Sequence, residues 1–293
     1  MAATCRGWQL VFLLGMGVLA HPVFRARAWL QGRTKDEGVK EWLRWGSAWA
    51  LRILHVKVES RGQIPKGGLL VSNHQGYLDI LCLNVLCPST FVAKAEIKSW
   101  PLFGLFCEWS GTIFLDRKKK TALTGPLQKV VELLRKGERV VIFPEGTDSD
   151  GTGVLPFHSS FFEAAIDAQC PVVPLAIRYS APGVGPGEEV IYWKDRRFIF
   201  HVIRLLGVKE VRARVTFGEE MRAGQSRKEL SGRVRERVLA ILRMERNHLS
   251  RPKKENGPDG SARTRGGVIA EGRTGGDFSG RNGFRWNRGA AVS

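Results

Sequence analysis

Asn73 and His74 close a short apolar run, "GLLVS", and Asp79 stands five residues beyond the histidine in "VSNHQGYLDI". Histidine is the side chain whose ordinary pKa lies nearest neutrality, so it suits acid–base work. A carboxylate that accepts the proton on one ring nitrogen leaves the other free as a base. Within one helix, five residues turn through about 140°, which would separate the two groups. The pair therefore needs His74 in a strand-to-helix turn and Asp79 in the first helical turns, and Gly76 permits that bend. The bland alternative is a helix-capping turn with an incidental histidine.

Three other polar clusters follow apolar runs. Lys94 follows "TFVA", Asp116 and Arg117 follow "GTIFL" with Lys118, Lys119 and Lys120 behind them, and Pro144-Glu145-Gly146-Thr147 follows "RVVIF". In an open α/β sheet, ligands bind beyond the carboxyl ends of the strands. Four clusters at four strand ends converge on one edge, and this favours catalysis over the capping turn. Arg117 reads as a ligand for phosphate or another anion. Glu145-Gly146-Thr147 reads as a tight turn offering backbone N–H groups and a carboxylate to a polar head group or an oxyanion.

No serine or cysteine stands in a nucleophile elbow, and there is no phosphate-binding P-loop. His74 and Asp79 lack an evident third metal ligand. The chemistry expected is direct attack by a substrate group that His74 deprotonates.

The elements that would position these groups are legible in outline. Short β-branched or apolar runs alternate with helical patterns at about 121–135 and 159–168, which predicts an α/β fold with a largely parallel sheet flanked by helices. A last helix opens at Ser226, with Glu229 at capping-box spacing, and runs to about Arg246.

At the N-terminus an eleven-residue apolar run, Leu10–Ala20, lies between Arg6 and Arg25/Arg27. It is too short to span a bilayer as a straight helix. A retained membrane-associated helix fits better than a cleaved leader, because arginines flank both sides. "GMGVLA" within it matches a dinucleotide fingerprint, but without the βαβ context that motif requires. From Val39 to Leu54, Trp42, Trp45, Trp49 and Ile53 share a helical face that suits either a core or a membrane interface.

The expected organisation is an N-terminal membrane-associated helical pair (1–58), a catalytic domain (59–250) and a Gly/Arg-rich tail (251–293) too poor in apolar residues to fold alone. Five cysteines without C-x-x-C spacing read as buried thiols in a reducing cytosol. A net charge of +18 implies an anionic partner. Nucleic acid is the rival there, resting on the tail and its aromatics, but it leaves the strand-end clusters unexplained. An inactive membrane-binding scaffold is the other rival.

The motifs together resemble those of the glycerolipid acyltransferases, typified by 1-acyl-glycerol-3-phosphate acyltransferases. "NHQGYLD", "GTIFLDR", "FPEGT" and "VVPLAI" are similar to that family's four blocks, in order, over about residues 53–217. The resemblance implies O-acyl transfer from acyl-CoA or acyl-carrier protein to a lysolipid hydroxyl, with no cofactor. It implies His74 as base, Asp79 as its orienting partner, Arg117 on the acceptor's phosphate, and Asn73, Lys94, Glu145, Gly146 and Thr147 around the substrate. It also implies membrane lipids as partners and a place at the cytoplasmic face of a membrane. One departure stands out. The third block commonly continues with arginine, whereas here Asp148 follows Thr147. An anion there would repel a phosphomonoester and attract an ammonium, as in family members that acylate zwitterionic or lyso-ornithine lipids.

Overall fold

The structure is a computed structural model that describes residues 2–116, 124–182 and 198–250. Helix α1 (Ala2–Leu30) is followed by α2 (Lys35–Ile53), and the two pack on each other. Thr34 stops the chain between them with a capping box. Its hydroxyl accepts from Glu37 N at 3.2 Å, and its own N–H donates to Glu37 Oε2 at 2.9 Å. The helices approach closely at Gly38, where a Cβ would lie 2.6 Å from the Phe24 carbonyl oxygen. Trp42 seals the contact by donating from Nε1 to Gly17 O at 2.9 Å.

The glycines of "GMGVLA" therefore lie inside α1, not between a strand and a helix, and the dinucleotide reading is excluded. The helix also runs well beyond the eleven-residue apolar run. Over Thr4–Leu30 it is long and apolar enough to cross a membrane by length and composition. The tryptophan stripe of α2 divides. Trp42 is buried, Trp45 is half-buried against Phe24, and Trp49 is exposed with the Arg52 guanidinium above its ring.

Eight strands form the sheet among the described residues: β1 (Val56–Arg61), β2 (Gly68–Ser72), β3 (Thr90–Lys94), β4 (Ile113–Leu115), β5 (Arg139–Ile142), β6 (Pro171–Ser180), β7 (Val211–Phe217) and β8 (Met221–Arg222). Their order is β1-β7-β6-β2-β5-β3-β4, with the short β8 beside β6. The block β6-β2-β5-β3-β4 is parallel throughout. β7 runs against β6 and carries β1 parallel to itself. β1 crosses the boundary expected at residue 58, so the sheet begins inside the segment assigned to the N-terminal helices. The tail after Ser250 and residues 117–123 lie outside the described residues.

Strand alternation creates two cores. Leu70, Val141, Val173, Leu175 and Ile177 face α2, α3 (Tyr77–Leu86) and α7 (Phe198–Gly207). Leu69, Val71, Val140, Ile142 and Val172 face α5 (Thr124–Arg135), α6 (Glu163–Ala168) and α8 (Arg227–Ser250). The short α4 (Phe103–Trp109) packs against α1, where His21 stacks on Trp109 at 4.5 Å between ring centroids. Cys82, Cys87 and Cys170 are buried free thiols, whereas Cys5 is exposed, contrary to the expectation for it.

Candidate active site

β2, β5, β3 and β4 are consecutive in the sheet and parallel, so Asn73-His74, the Pro144–Thr147 turn, Lys94 and Asp116 leave the same edge. At its centre the chain passes from β2 into α3 through Asn73-His74-Gln75-Gly76. Gly76 has φ +146°, ψ −165°, a conformation that side-chain-bearing residues avoid. That turn brings Asp79, at the third position of α3, back onto His74.

Asp79 is fully buried and its carboxylate is saturated with donors. Oδ2 accepts from Gln75 N at 2.7 Å, from Gly76 N at 3.0 Å and from the His74 ring. Nδ1 of His74 lies 2.8 Å from Oδ2. Oδ1 accepts from the Tyr179 hydroxyl at 2.7 Å. A carboxylate that faces backbone N–H groups and a phenol acts as an acceptor, so Nδ1 is the ring nitrogen that donates to it and Nε2 is left outside this pairing. The imidazole also stacks on Phe143, with 4.1 Å between centroids, and its side chain is 21 % exposed. The ring is fixed in plane and in tautomer but remains reachable.

The backbone of His74 is clamped on both sides. Its N–H donates to Glu145 Oε1 at 2.8 Å, and its carbonyl accepts from Ser149 N at 2.8 Å and Ser149 Oγ at 3.1 Å. Glu145 Oε2 accepts from Leu155 N at 2.8 Å. The Glu145 carboxylate thus ties three segments together, and its burial raises its pKa above the usual carboxylate range. Gly146, at φ +72°, closes the tight turn by donating its N–H to Phe143 O at 3.1 Å.

Asn73 is likewise engaged with the fold. Its amide pairs with both backbone groups of Ile177, at 3.0 Å and 2.8 Å. Lys94 ends β3 with its side chain exposed, and Thr147 is half-buried beside the Glu145 turn. Asp148 is half-buried, and its Oδ2 is buried without a hydrogen-bond partner among the described residues. Arg117 lies outside the described residues.

Sequence reasoning missed Tyr179, Phe143, Gln75 and Ser149. Tyr179 shares a strand face with Val173, Leu175 and Ile177, and that alternation was readable. Which helix covers the face was not.

A largely parallel sheet with a histidine–carboxylate pair at its carboxyl edge is the arrangement of an α/β enzyme. The acyltransferase family model matches residues 55–178. The chain is 33% identical over 180 residues to the 1-acyl-sn-glycerol-3-phosphate acyltransferase of Neisseria meningitidis serogroup B, covering 61% of this chain and 70% of that protein. It is 31% identical over 278 residues to the lyso-ornithine lipid O-acyltransferase of Rhizobium meliloti, covering 87% and 94%. The fold matches the crystal structure of the 1-acyl-sn-glycerophosphate acyltransferase from Thermotoga maritima with a TM-score of 0.59 at 20% identity, over 85% of this chain and all of that one. The chain belongs to the glycerolipid acyltransferase family, and it is an acyltransferase.

Proposed function

We propose that this enzyme carries a fatty acyl group from acyl-CoA or acyl-carrier protein to the free hydroxyl of a lysolipid at the cytoplasmic face of a membrane. The observation that carries the mechanism is the 2.8 Å contact between His74 Nδ1 and Asp79 Oδ2. Nε2 of His74 takes the hydroxyl proton as the lysolipid oxygen attacks the thioester carbonyl. The C–O bond forms, the tetrahedral adduct collapses with loss of the C–S bond, and the thiolate leaves with the proton from the imidazolium. Asp79 stabilises the imidazolium between the two steps. Arg117, Lys94 and the Thr147 turn are assigned to the polar ends of the substrates, whereas Asn73 and Glu145 hold the loop that carries His74. The default acceptor is 1-acyl-sn-glycerol-3-phosphate, giving phosphatidic acid. The test is acyl transfer to a lysolipid panel from both donors. His74→Ala is expected to lower kcat by about 10²–10⁴-fold. An unchanged rate would sink the assignment and favour a scaffold.

Asp148 supports a second acceptor. A carboxylate oxygen buried without a partner, two residues from the Gly146 turn, suits an ammonium better than a phosphomonoester. The Rhizobium relative, similar over most of both chains, supports the same reading. Asp148→Arg is expected to shift product ratios from zwitterionic lysolipids toward phosphatidate. Equal ratios in the variant and the parent would refute this role.

A further inference from the structure

A further apolar surface lies on α7 and the corner before α4. Helix α7 buries His201, Val202, Leu205 and Leu206 on one side. On the other it exposes Ile199, Phe200 and Ile203, each by more than half. Beside its first turn stands a strained corner. Leu102 has φ +61°, ψ −47°, and Phe103 N donates to Pro101 O at 2.7 Å around it, which makes a tight three-residue turn. A leucine is costly in that conformation. The turn holds Leu102 and Trp100 outward, 49% and 38% exposed. Trp100 and Phe103 both meet the Phe198 ring edge-on, at 6.0 Å and 5.0 Å, so corner and helix form one surface.

This surface continues into α1. Arg6 Nη1 donates to Val208 O at 3.2 Å, and a Cβ on Gly7 would touch Leu206 at 3.8 Å. The neighbouring positions Trp8 and Phe12 are more than 70% exposed. The same surface reaches the catalytic loop from behind. Tyr77, which opens α3 directly after Gly76, meets Phe198 edge-on at 5.0 Å, and its hydroxyl lies 3.1 Å from His201 Nδ1.

We propose that the outer face of α7 and the Leu102 corner dip together into the phospholipid leaflet, extending the apolar surface of α1 toward the catalytic loop. Continuity with the apolar face of α1 identifies the occupant as lipid. Aromatic side chains beside the exposed Arg204, on a chain of net charge +18, suit an anionic leaflet surface. The consequence is positional, because the contact sets the leaflet beside the loop that carries His74. This rests on the acceptor's being a membrane lipid.

Two measurements test it on the full chain. First, a photo-crosslinking benzophenone amino acid replaces Ile203, and separately Met244, on vesicles of mixed phosphatidylcholine and phosphatidylglycerol. Met244 is an exposed apolar control on α8, across the sheet. Lipid adducts at 203 and none at 244 are expected. No lipid adduct at 203, or an adduct to a second copy of the chain, would overturn the proposal. Second, the double variant Phe200→Glu/Ile203→Glu is assayed on vesicle-embedded lysolipid and on a monomeric short-chain lysolipid. Turnover is expected to fall about tenfold or more on vesicles and less than about twofold on the monomeric acceptor. Equal losses on both would place the residues in the folded site and refute an interfacial role. If the parent transfers acyl groups to neither acceptor, the enzymatic reading fails, and the crosslinking still decides the surface.

Discussion

At the scale of single residues, the tautomer of His74 is determined by what surrounds Asp79. Three donors meet Oδ2 and the Tyr179 hydroxyl meets Oδ1, so the carboxylate acts as an acceptor and has no proton to offer an unprotonated Nδ1. Tyr179 is a positioning residue that acts through Asp79. Burial holds its own ionisation well above the ordinary range, so it stays a neutral donor at every working pH. A hydrogen bond to a charged group contributes about 1.5–3 kcal/mol, so Tyr179→Phe is expected to lower kcat by about tenfold or more with KM unchanged. A parallel rise in KM would reduce Tyr179 to packing. His74 and Asp79 were legible in the sequence because they are five residues apart. Tyr179 is a hundred residues from Asp79, and no local pattern links them.

At the scale of elements, the strands that carry chemistry were the readable ones. β2, β5 and β6 are buried and apolar, bounded by turn residues. β1 was not readable, since "VKVESR" is an edge strand with polar, mostly exposed positions that show too little apolar alternation. α7 was missed because "FIFHVIRLLG" is short, apolar and aromatic, and such a run suits a strand as well as a helix. α8 was legible from Ser226, whose hydroxyl accepts from Glu229 N at 3.4 Å. The far part of α8 is anchored by Glu245, only 4% exposed. It accepts from Arg214 and Thr216, each at 2.9 Å, and lies 3.3 Å from Arg61. Burial pushes its carboxyl up, but the hydrogen bonds from Arg214 and Thr216 outweigh that and hold it below the ordinary value. A depressed folded pKa gives stability that is present above the unfolded value and lost as pH falls through the folded one. Glu245→Gln is therefore expected to cost about 1–3 kcal/mol at neutral pH, with the gap to the parent closing below about pH 4. Urea unfolding at both pH values measures this. A gap that does not depend on pH would mean that the carboxylate's charge contributes nothing.

At the scale of the whole molecule, α1 supplies an apolar surface and the chain supplies positive charge. Binding to anionic vesicles is expected to weaken steeply as salt rises toward about 0.5 M, because screening shortens the reach of surface charge to a few ångströms. Binding to neutral vesicles should be nearly indifferent to salt, and equal salt dependence on both would argue against a role for the charge. By itself the sequence determined the α/β class, the N-terminal apolar helix, the His74–Asp79 pair and the four strand-end clusters. Each is written in residues close together in the chain, where periodicity and turn chemistry act. Only the tertiary structure decided the strand order that sets β2 between β5 and β6, the Tyr179 bond to Asp79 and the use of Asn73 and Glu145 as struts. It alone joined α7, the Leu102 corner and α1 into one surface. These are contacts across tens to hundreds of residues, and they depend on which buried faces pack together. Local sequence carries no record of that choice.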